Sequence, residues 1–306
     1  MLPTIVFFGT HNFAAHLLRL IVEKELARVV LVITAPDQPI GRQQILQSPP
    51  VKIVAQELGL TIAQPSSLKN YSLPLTADLG LVAQYGKIIP LALINSLPLG
   101  IINVHTSLLP KYRGASPIQT ALLQGEKETG ITIMAIDAGL DTGPIFHQDR
   151  LAIAPTDNYL TLEAKLANLA GDSLTACLPD IITKKITAQP QTEHSATFCE
   201  PLTRDSGKID WTKSAQDIYN QYRAFTPWPG IWTTWKEKRI KLLEIKIGRE
   251  KIPAGQVLVK ENSLYIGAGQ DSLLVELLQL EGKKPLAAID FMNGHPTFAL
   301  ARLGDK

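Results

Sequence analysis

Apolar residues follow two rhythms in the first half of the chain. Short runs at residues 5–9, 29–34, 79–84 and 101–105 are apolar at nearly every position and rich in β-branched and aromatic side chains, the pattern of strands covered on both faces. Between them, residues 13–22, 51–58 and 90–96 place apolar side chains three and four apart, and residues 117–123 follow suit after the last run; these read as helices. Alternation of the two predicts βαβ units and a mainly parallel sheet. Residues 131–136 and 145–151 are further strands, separated by a Gly- and Asp-rich loop. The Ala/Leu periodicity of residues 159–182 predicts a long helix packed across the sheet.

The rhythm changes near residue 188. Pro190, Thr192, Glu193, His194 and Ser195 make a polar stretch that reads as a linker, so the chain divides into domains at 1–189 and 207–306 joined by 190–206. A length of 306 residues suits two domains. Beyond the linker come one helix at 214–225, a Pro-Trp-Pro-Gly turn at 227–230, and short β-like runs at 231–235, 240–247, 255–260, 263–268 and 273–281. Closely spaced short strands predict a small β-barrel of the oligonucleotide-binding (OB) type.

Composition narrows the class. Hydrophobic residues make up 45% and charged residues 19%, with no apolar run near 20 residues, so no membrane span is expected. The start lacks a positively charged n-region and reads as a first strand, not a targeting segment. Cys177 and Cys199 are the only cysteines, without zinc-site spacing, and a reducing cytoplasm is the expected compartment. Charge is uneven: residues 1–203 carry 14 Lys and Arg against 16 Asp and Glu, residues 204–306 carry 16 against 12, so the parts stand at −2 and +4. Lys236, Lys238, Arg239, Lys241, Lys246, Arg249 and Lys251 concentrate the positive charge. Charge alone fits a phosphate-backbone contact and an ordinary solvated strand pair equally well.

The chemistry-bearing stretch is Asn103-Val-His105-Thr-Ser107-Leu108-Leu109-Pro110, followed by Tyr112-Arg113-Gly114 and by Asp137-Ala-Gly139-Leu-Asp141-Thr-Gly143-Pro144. Asn103 and His105 end an apolar run, and residues two apart on a strand face the same side. An amide and an imidazole then project together at the carboxyl end of a parallel strand, where open α/β sheets bind ligands. Acyl-group chemistry needs a donor for a developing oxyanion, a group to take a proton and a carboxylate to orient it; Asn103, His105 and Asp141 supply these types. A single Asn and His near a strand end are more often turn or capping residues. The whole constellation in this order is specific. Gly9-Thr10-His11-Asn12 lacks the further glycines of a dinucleotide loop, so no nicotinamide or flavin is expected. Residues 35–50, with Arg42, form a long aperiodic loop of the kind that acts as a lid or binding element. Gly86, in Gln84-Tyr85-Gly86-Lys87, would let a flat ligand approach the backbone. His11, His16, His147, His194 and His295 have no ligand spacing, and no metal is expected.

These motifs together resemble the folate-dependent formyltransferases, and within them the methionyl-tRNA formyltransferase family. GTHNFA, PDQPIGR with SPPVK, GITIMAIDAGLDTGPI, IDW, RAFTPWPG and LEGKKP carry the resemblance across nearly the whole chain. It implies a Rossmann-like formyltransferase domain followed by an OB-like C-terminal domain, with transfer of the formyl group of 10-formyltetrahydrofolate to the methionine α-amine on initiator methionyl-tRNA. Catalysis would rest on Asn103, His105 and Asp141, with Asp141 holding His105. Tyr85, Gly86, Lys87, Ser107, Leu108, Leu109 and Pro110 would line the folate site. Arg42, Lys236, Lys238, Arg239 and Lys241 would meet tRNA, and the protein would act as a monomer with no membrane partner. Two departures stand out: Gln43 and Gln44 replace the lysines usual after the loop arginine, and His11-Asn12 replaces Pro-Asp/Glu. The same triad on a sugar-nucleotide amine, and an RNA-binding protein that kept the fold, are the rival readings.

Overall fold

Strands apolar at every position must be buried on both faces, and the first sheet meets that demand. The computed structural model describes residues 2–40 and 44–304. Its elements, in chain order, are β1 (Thr4–Gly9), α1 (Asn12–Glu23), β2 (Arg28–Ile33), β3 (Gln38–Ile40), β4 (Ile45–Gln47), α2 (Pro50–Glu57), β5 (Ile62–Ala63), β6 (Leu79–Ala83), α3 (Leu91–Ile94), β7 (Ile101–His105), β8 (Arg113–Gly114), α4 (Pro117–Leu123), β9 (Glu128–Ala135), β10 (Ile145–Ala152), α5 (Tyr159–Ile182) and β11 (Phe198–Cys199). There follow α6 (Ala215–Phe225), β12 (Ile231–Trp235), β13 (Lys238–Gly248), β14 (Val257–Lys260), β15 (Ser263–Gly267), β16 (Ser272–Leu280), β17 (Leu286–Ala287) and α7 (Ala288–Gly294).

Seven strands lie in the order β10-β9-β7-β6-β1-β2-β5, parallel from β7 to β5 and antiparallel at β9 and β10. The sheet is thus mainly parallel, as the alternating pattern predicts. Strand β1 has β2 on one side and β6 on the other, so the winding reverses there, and the carboxyl ends of β1, β6 and β7 border the crevice such sheets use for ligands. Helix α5 is tied to the layer by Lys24 Nζ donating to Asp172 at 2.9 Å and Ser173 Oγ donating to Asp149 on β10 at 2.6 Å.

Packing divides the chain into two compact units, Met1–Pro117 with Glu128–Ile153 and Leu162–Glu200, and Ile118–Lys127 with Ala154–Thr161 and Pro201–Lys306. The polar stretch from 190 is therefore partly built into the first unit: β11 pairs in parallel with β8. Two pieces expected in the first domain pack in the second unit instead. For the piece 154–161 the reason lies in Arg223, 6% exposed, whose Nη1 needs an acceptor and donates to the Asp157 carbonyl at 3.0 Å.

In the second unit the strands run antiparallel in the order β12-β13-β16-β15-β14, with β17 on β16. Strand β13 alternates buried and exposed side chains and shifts register around Glu244, which bends it. The last described residues join the two edge strands: Val257 N–H donates to Ala301 O at 3.0 Å, Leu303 N–H to Gly255 O at 2.8 Å and Gly304 N–H to Thr234 O at 3.4 Å. Barrel closure runs through irregular backbone rather than a strand. Ser214 caps α6 with a reciprocal capping box to Asp217.

The amino ends of β1 and β6 are clamped by one carboxylate. Asp78 accepts from the Thr4 amide at 2.8 Å and from Thr4 Oγ1 at 2.7 Å, and these bonds hold its pKa below the usual carboxylate value. A carboxyl depressed on folding stabilises fully above its unfolded pKa of about 3.9 and loses that contribution as pH falls through the folded value. Asp78→Ala should therefore lower stability at pH 7 by roughly 1–3 kcal/mol, and the gap from wild type should narrow as thermal melts are repeated toward pH 3.

Candidate active site

Asn103 and His105 end β7 on one side of the sheet, in register with Met134 and Thr132 of β9. His105 is 6% exposed, and its Nε2 lies 3.0 Å from the Tyr112 carbonyl oxygen. A carbonyl only accepts, so Nε2 carries the hydrogen and Nδ1 is the atom left facing the site. Nδ1 lies 3.7 Å from Asp141 Oδ2. The ring is fixed by Tyr112, whose φ of 61° swings its carbonyl inward, while Asp141 stands beyond direct hydrogen-bonding range.

Asp141 is itself tightly placed. Its Oδ2 accepts from the Gly114 amide at 2.9 Å and its Oδ1 from Asn103 Nδ2 at 3.4 Å. Its backbone is left-handed, φ 52°, a conformation Asp tolerates better than most residues. Gly114 has φ 120°, and a Cβ there would fall 2.3 Å from the Cys199 carbonyl oxygen across the β8–β11 pair. A Cβ on Gly143 would fall 1.8 Å from Ala135 O, so the loop can turn back on β9 only with glycine there. Asp137 shapes the same loop, its Oδ1 accepting from Gly139 N–H at 3.0 Å and Thr142 Oγ1 at 2.7 Å.

Residues outside the sequence-derived set complete the structure around the triad. Arg113, 1% exposed, donates through Nε and Nη2 to Gln191 Oε1 at 3.1 and 2.8 Å, and through Nη1 and Nη2 to Glu193 at 3.0 and 2.8 Å. The bond to Glu193 raises the Arg113 pKa and lowers that of Glu193. Gln191 Nε2 in turn donates to the carbonyls of Asp141 and Gly143, each at 2.8 Å. Gln191 and Glu193 lie in the stretch read as linker, and only a polar pair opposite a buried arginine could have marked them. Thr132, fully buried on β9, is the last of the set. Its Oγ1 donates to Ser107 O at 2.7 Å and accepts from Leu109 N–H at 3.1 Å and Gln148 Nε2 at 2.8 Å.

The residues expected to line the folate site are placed unequally. Ser107 is buried with Oγ donating to Lys111 O at 2.6 Å, and Leu109 is buried, so the 107–110 turn offers mainly backbone. Leu108 and Pro110 are half-buried beside it. The Tyr85 ring packs edge-on against Phe8 in the core, and burial, with Tyr71 adding, pushes its phenol up to about 12. Lys87 Nζ is engaged by the Pro65 and Ser66 carbonyls at 2.9 and 3.1 Å. Gly86, φ 75°, has nothing within 4 Å of where a Cβ would stand, so its backbone alone is open to a flat ligand. His11 is the N-cap of α1 without a side-chain capping bond, and nothing in the structure explains its presence or that of Asn12.

The expected tRNA contacts do not share one face. The alternation along β13 decides this: with Ile240 and Leu242 buried, Arg239 and Lys241 point to solvent, Lys238 sits at the strand start on the opposite parity, and Lys236 lies in the β12–β13 turn. The Arg239 guanidinium stacks 4.0 Å from the Trp232 ring, and Lys236 Nζ donates to Thr297 Oγ1 at 3.1 Å. Arg42 and Gln43 lie outside the described residues, while Gln44 leads into β4 with φ 52°. Among the described residues no group of three or more His, Cys, Asp or Glu could hold a metal ion, and no helix is long and apolar enough to cross a membrane.

Comparison with known proteins gives this arrangement its context. Residues 3–178 match the formyl transferase family and residues 201–296 its C-terminal domain. The methionyl-tRNA formyltransferase of Caldicellulosiruptor saccharolyticus is 39% identical over 302 residues, 95% of this chain and 96% of that one. That of Koribacter versatilis is 41% identical over 307 residues, 98% of each. The chain belongs to the methionyl-tRNA formyltransferase family. A Helicobacter canadensis N-formyltransferase, solved with folinic acid and a dTDP-amino-sugar, has the same fold at TM-score 0.66 and 20% identity, covering 90% of this chain and 99% of that one.

Thr132 gives this site its first test. Thr132→Val keeps the shape but removes a hydroxyl that serves three partners, two of them on the buried Ser107 and Leu109, leaving the Leu109 amide unpaired. It should cost roughly 1–3 kcal/mol in denaturant titrations, because the 107–110 turn loses its anchor.

Proposed function

We propose that this chain transfers the formyl group of 10-formyltetrahydrofolate to the α-amine of methionine on initiator methionyl-tRNA, for translation initiation. The observation that carries the choice of amine is identity of 41% to a curated methionyl-tRNA formyltransferase over 98% of both chains. The amino-sugar enzyme, at 20% identity, shares the fold alone. The uncharged amine attacks the formyl carbon, and the carbonyl electron pair moves onto oxygen. Asn103 has a second amide hydrogen besides the one given to Asp141, and it donates to that oxyanion. His105 Nδ1, the ring atom turned toward Asp141, takes up the amine proton while Asp141 stabilises the cation so formed. The tetrahedral intermediate then collapses, the carbonyl re-forming as the bond from the formyl carbon to N10 of the folate breaks, and the ring gives the proton to N10 so that tetrahydrofolate leaves.

The work divides along the chain. The 107–110 turn and the Gly86 backbone support the folate, and residues 207–306 grip the tRNA through Lys236, Lys238, Arg239 and Lys241, with Arg42 at the acceptor end. The protein acts in the cytoplasm, where charged initiator tRNA and the folate donor are both found, and acts as a monomer.

The deciding assay offers purified protein the folate donor with charged initiator tRNA, and in parallel with dTDP-amino-sugars. Formyl-methionyl-tRNA should accumulate and the sugars should stay unmodified; the reverse outcome sinks the reading. In the same assay Asn103→Ala should lower turnover roughly 10²–10³-fold with folate affinity retained. A separate measurement addresses the second unit. Neutralising Lys236, Lys238 and Lys241 together should weaken tRNA binding and flatten its dependence on salt by roughly one to three counterions. An unchanged salt slope in the folded triple variant would mean that tRNA is held elsewhere.

A further inference from the structure

Gln191 occupies an unusual position between a buried cation and the loop that carries Asp141. Arg113 donates to Gln191 Oε1 from two nitrogens, so the amide oxygen can face only the guanidinium. The amide nitrogen must then face the other way, and both of its hydrogens are used, one on the Asp141 carbonyl and one on the Gly143 carbonyl. Those two carbonyls bracket the turn in which Asp141 holds its left-handed φ of 52°. Arg113 is in turn locked by a fork to Glu193, at 3.0 and 2.8 Å. The chain of contacts runs from Glu193 through Arg113 and Gln191 to the backbone of Asp141.

We propose that Gln191, oriented by the Arg113–Glu193 pair, is a positioning residue that sets the direction of the Asp141 carboxylate. The inference rests on the formyl-transfer reading of Asn103, His105 and Asp141. Two carbonyls pinned at Asp141 and just beyond it leave its Cα–Cβ bond one direction, toward the Gly114 amide and Asn103 Nδ2. Released from Gln191, the turn can rotate its peptide planes, and a shift of about 1 Å at a catalytic group can cost about 10²-fold in rate. Substrate contacts remain, so the loss belongs in kcat and not in KM.

Three variants of the full chain test this, assayed with the amine that wild type formylates. Gln191→Ala should lower kcat about 10–100-fold, with KM for donor and acceptor within about threefold of wild type. Gln191→Glu should fall at least as far, although its carboxylate pairs with Arg113 better than the amide does, because it turns an acceptor on two carbonyls. This variant carries the test if Gln191→Ala fails to fold. Adding Gln191→Ala to Asp141→Asn should cost less than about threefold more, since a residue acting through Asp141 has nothing left to position. A folded Gln191→Glu protein with wild-type kcat overturns the proposal, as does a full independent loss in the double variant or a loss carried by KM. A wild-type protein inert toward methionyl-tRNA would instead overturn the function proposed above, so the two failures are distinguishable.

Discussion

A guanidinium with 1% of its surface exposed has to be paired, and the first unit is arranged to give Arg113 its partners. Leaving a desolvated cation uncompensated costs several kcal/mol, more than any single loop conformation can recover. The chain beyond α5 therefore returns to β8, pairs with it as β11, and brings Gln191 and Glu193 against the cation. Glu193 keeps 71% of its side chain in solvent while accepting the fork, so only one member of the pair bears the full cost of burial. This requirement also explains why the last segment of the second unit starts at Pro201 and not within the polar stretch that precedes it.

Around that cation, backbone groups do the positioning that side chains are usually credited with. The carbonyl before Arg113 belongs to Tyr112 and receives His105 Nε2; the amide after it belongs to Gly114 and is received by Asp141 Oδ2. Residues on both sides of Arg113 have positive φ, 61° and 120°, which turns that carbonyl and that amide toward the same space. One tripeptide thus fixes the imidazole, the carboxylate and, through its own side chain, the loop behind the carboxylate. The cation must be buried for the tripeptide to be rigid, and the site inherits that rigidity.

Much of this was legible in the residues. Apolar runs with β-branched side chains located β1, β2, β6 and β7 to within a residue or two, and helical periodicity located α4 and α5. The order Asn-x-His followed by Asp-x-Gly-x-Asp pointed to side chains that the fold brings within 3.4 and 3.7 Å of one another. What escaped was whatever depends on partners distant in sequence. Gln191 and Glu193 have the composition of a linker and become structural only because Arg113 is buried opposite them. Thr132 reads as one more β-branched strand residue; its three hydrogen bonds exist because the turn 107–109 folds over it. Charge clustering in the second unit likewise could not say which face each lysine takes, since that follows from the register of β13 against β12.

The tautomer of His105 carries the argument one step further. With its hydrogen committed at Nε2 to the Tyr112 carbonyl, a neutral ring turns a nitrogen lone pair toward the Asp141 carboxylate, and two acceptors face each other. That contact is unfavourable for the neutral ring and becomes attractive when Nδ1 gains a proton. In the proposed transfer a proton arrives there as the attacking amine loses one, so Asp141 would interact more strongly with the charge distribution of the transition state than with that of the resting site. Catalysis depends on that kind of difference, since an interaction equal in both states would not raise turnover. Its size falls with distance and with any drift in direction, which is why the carboxylate is held by an amide, a side-chain donor and a braced turn at once.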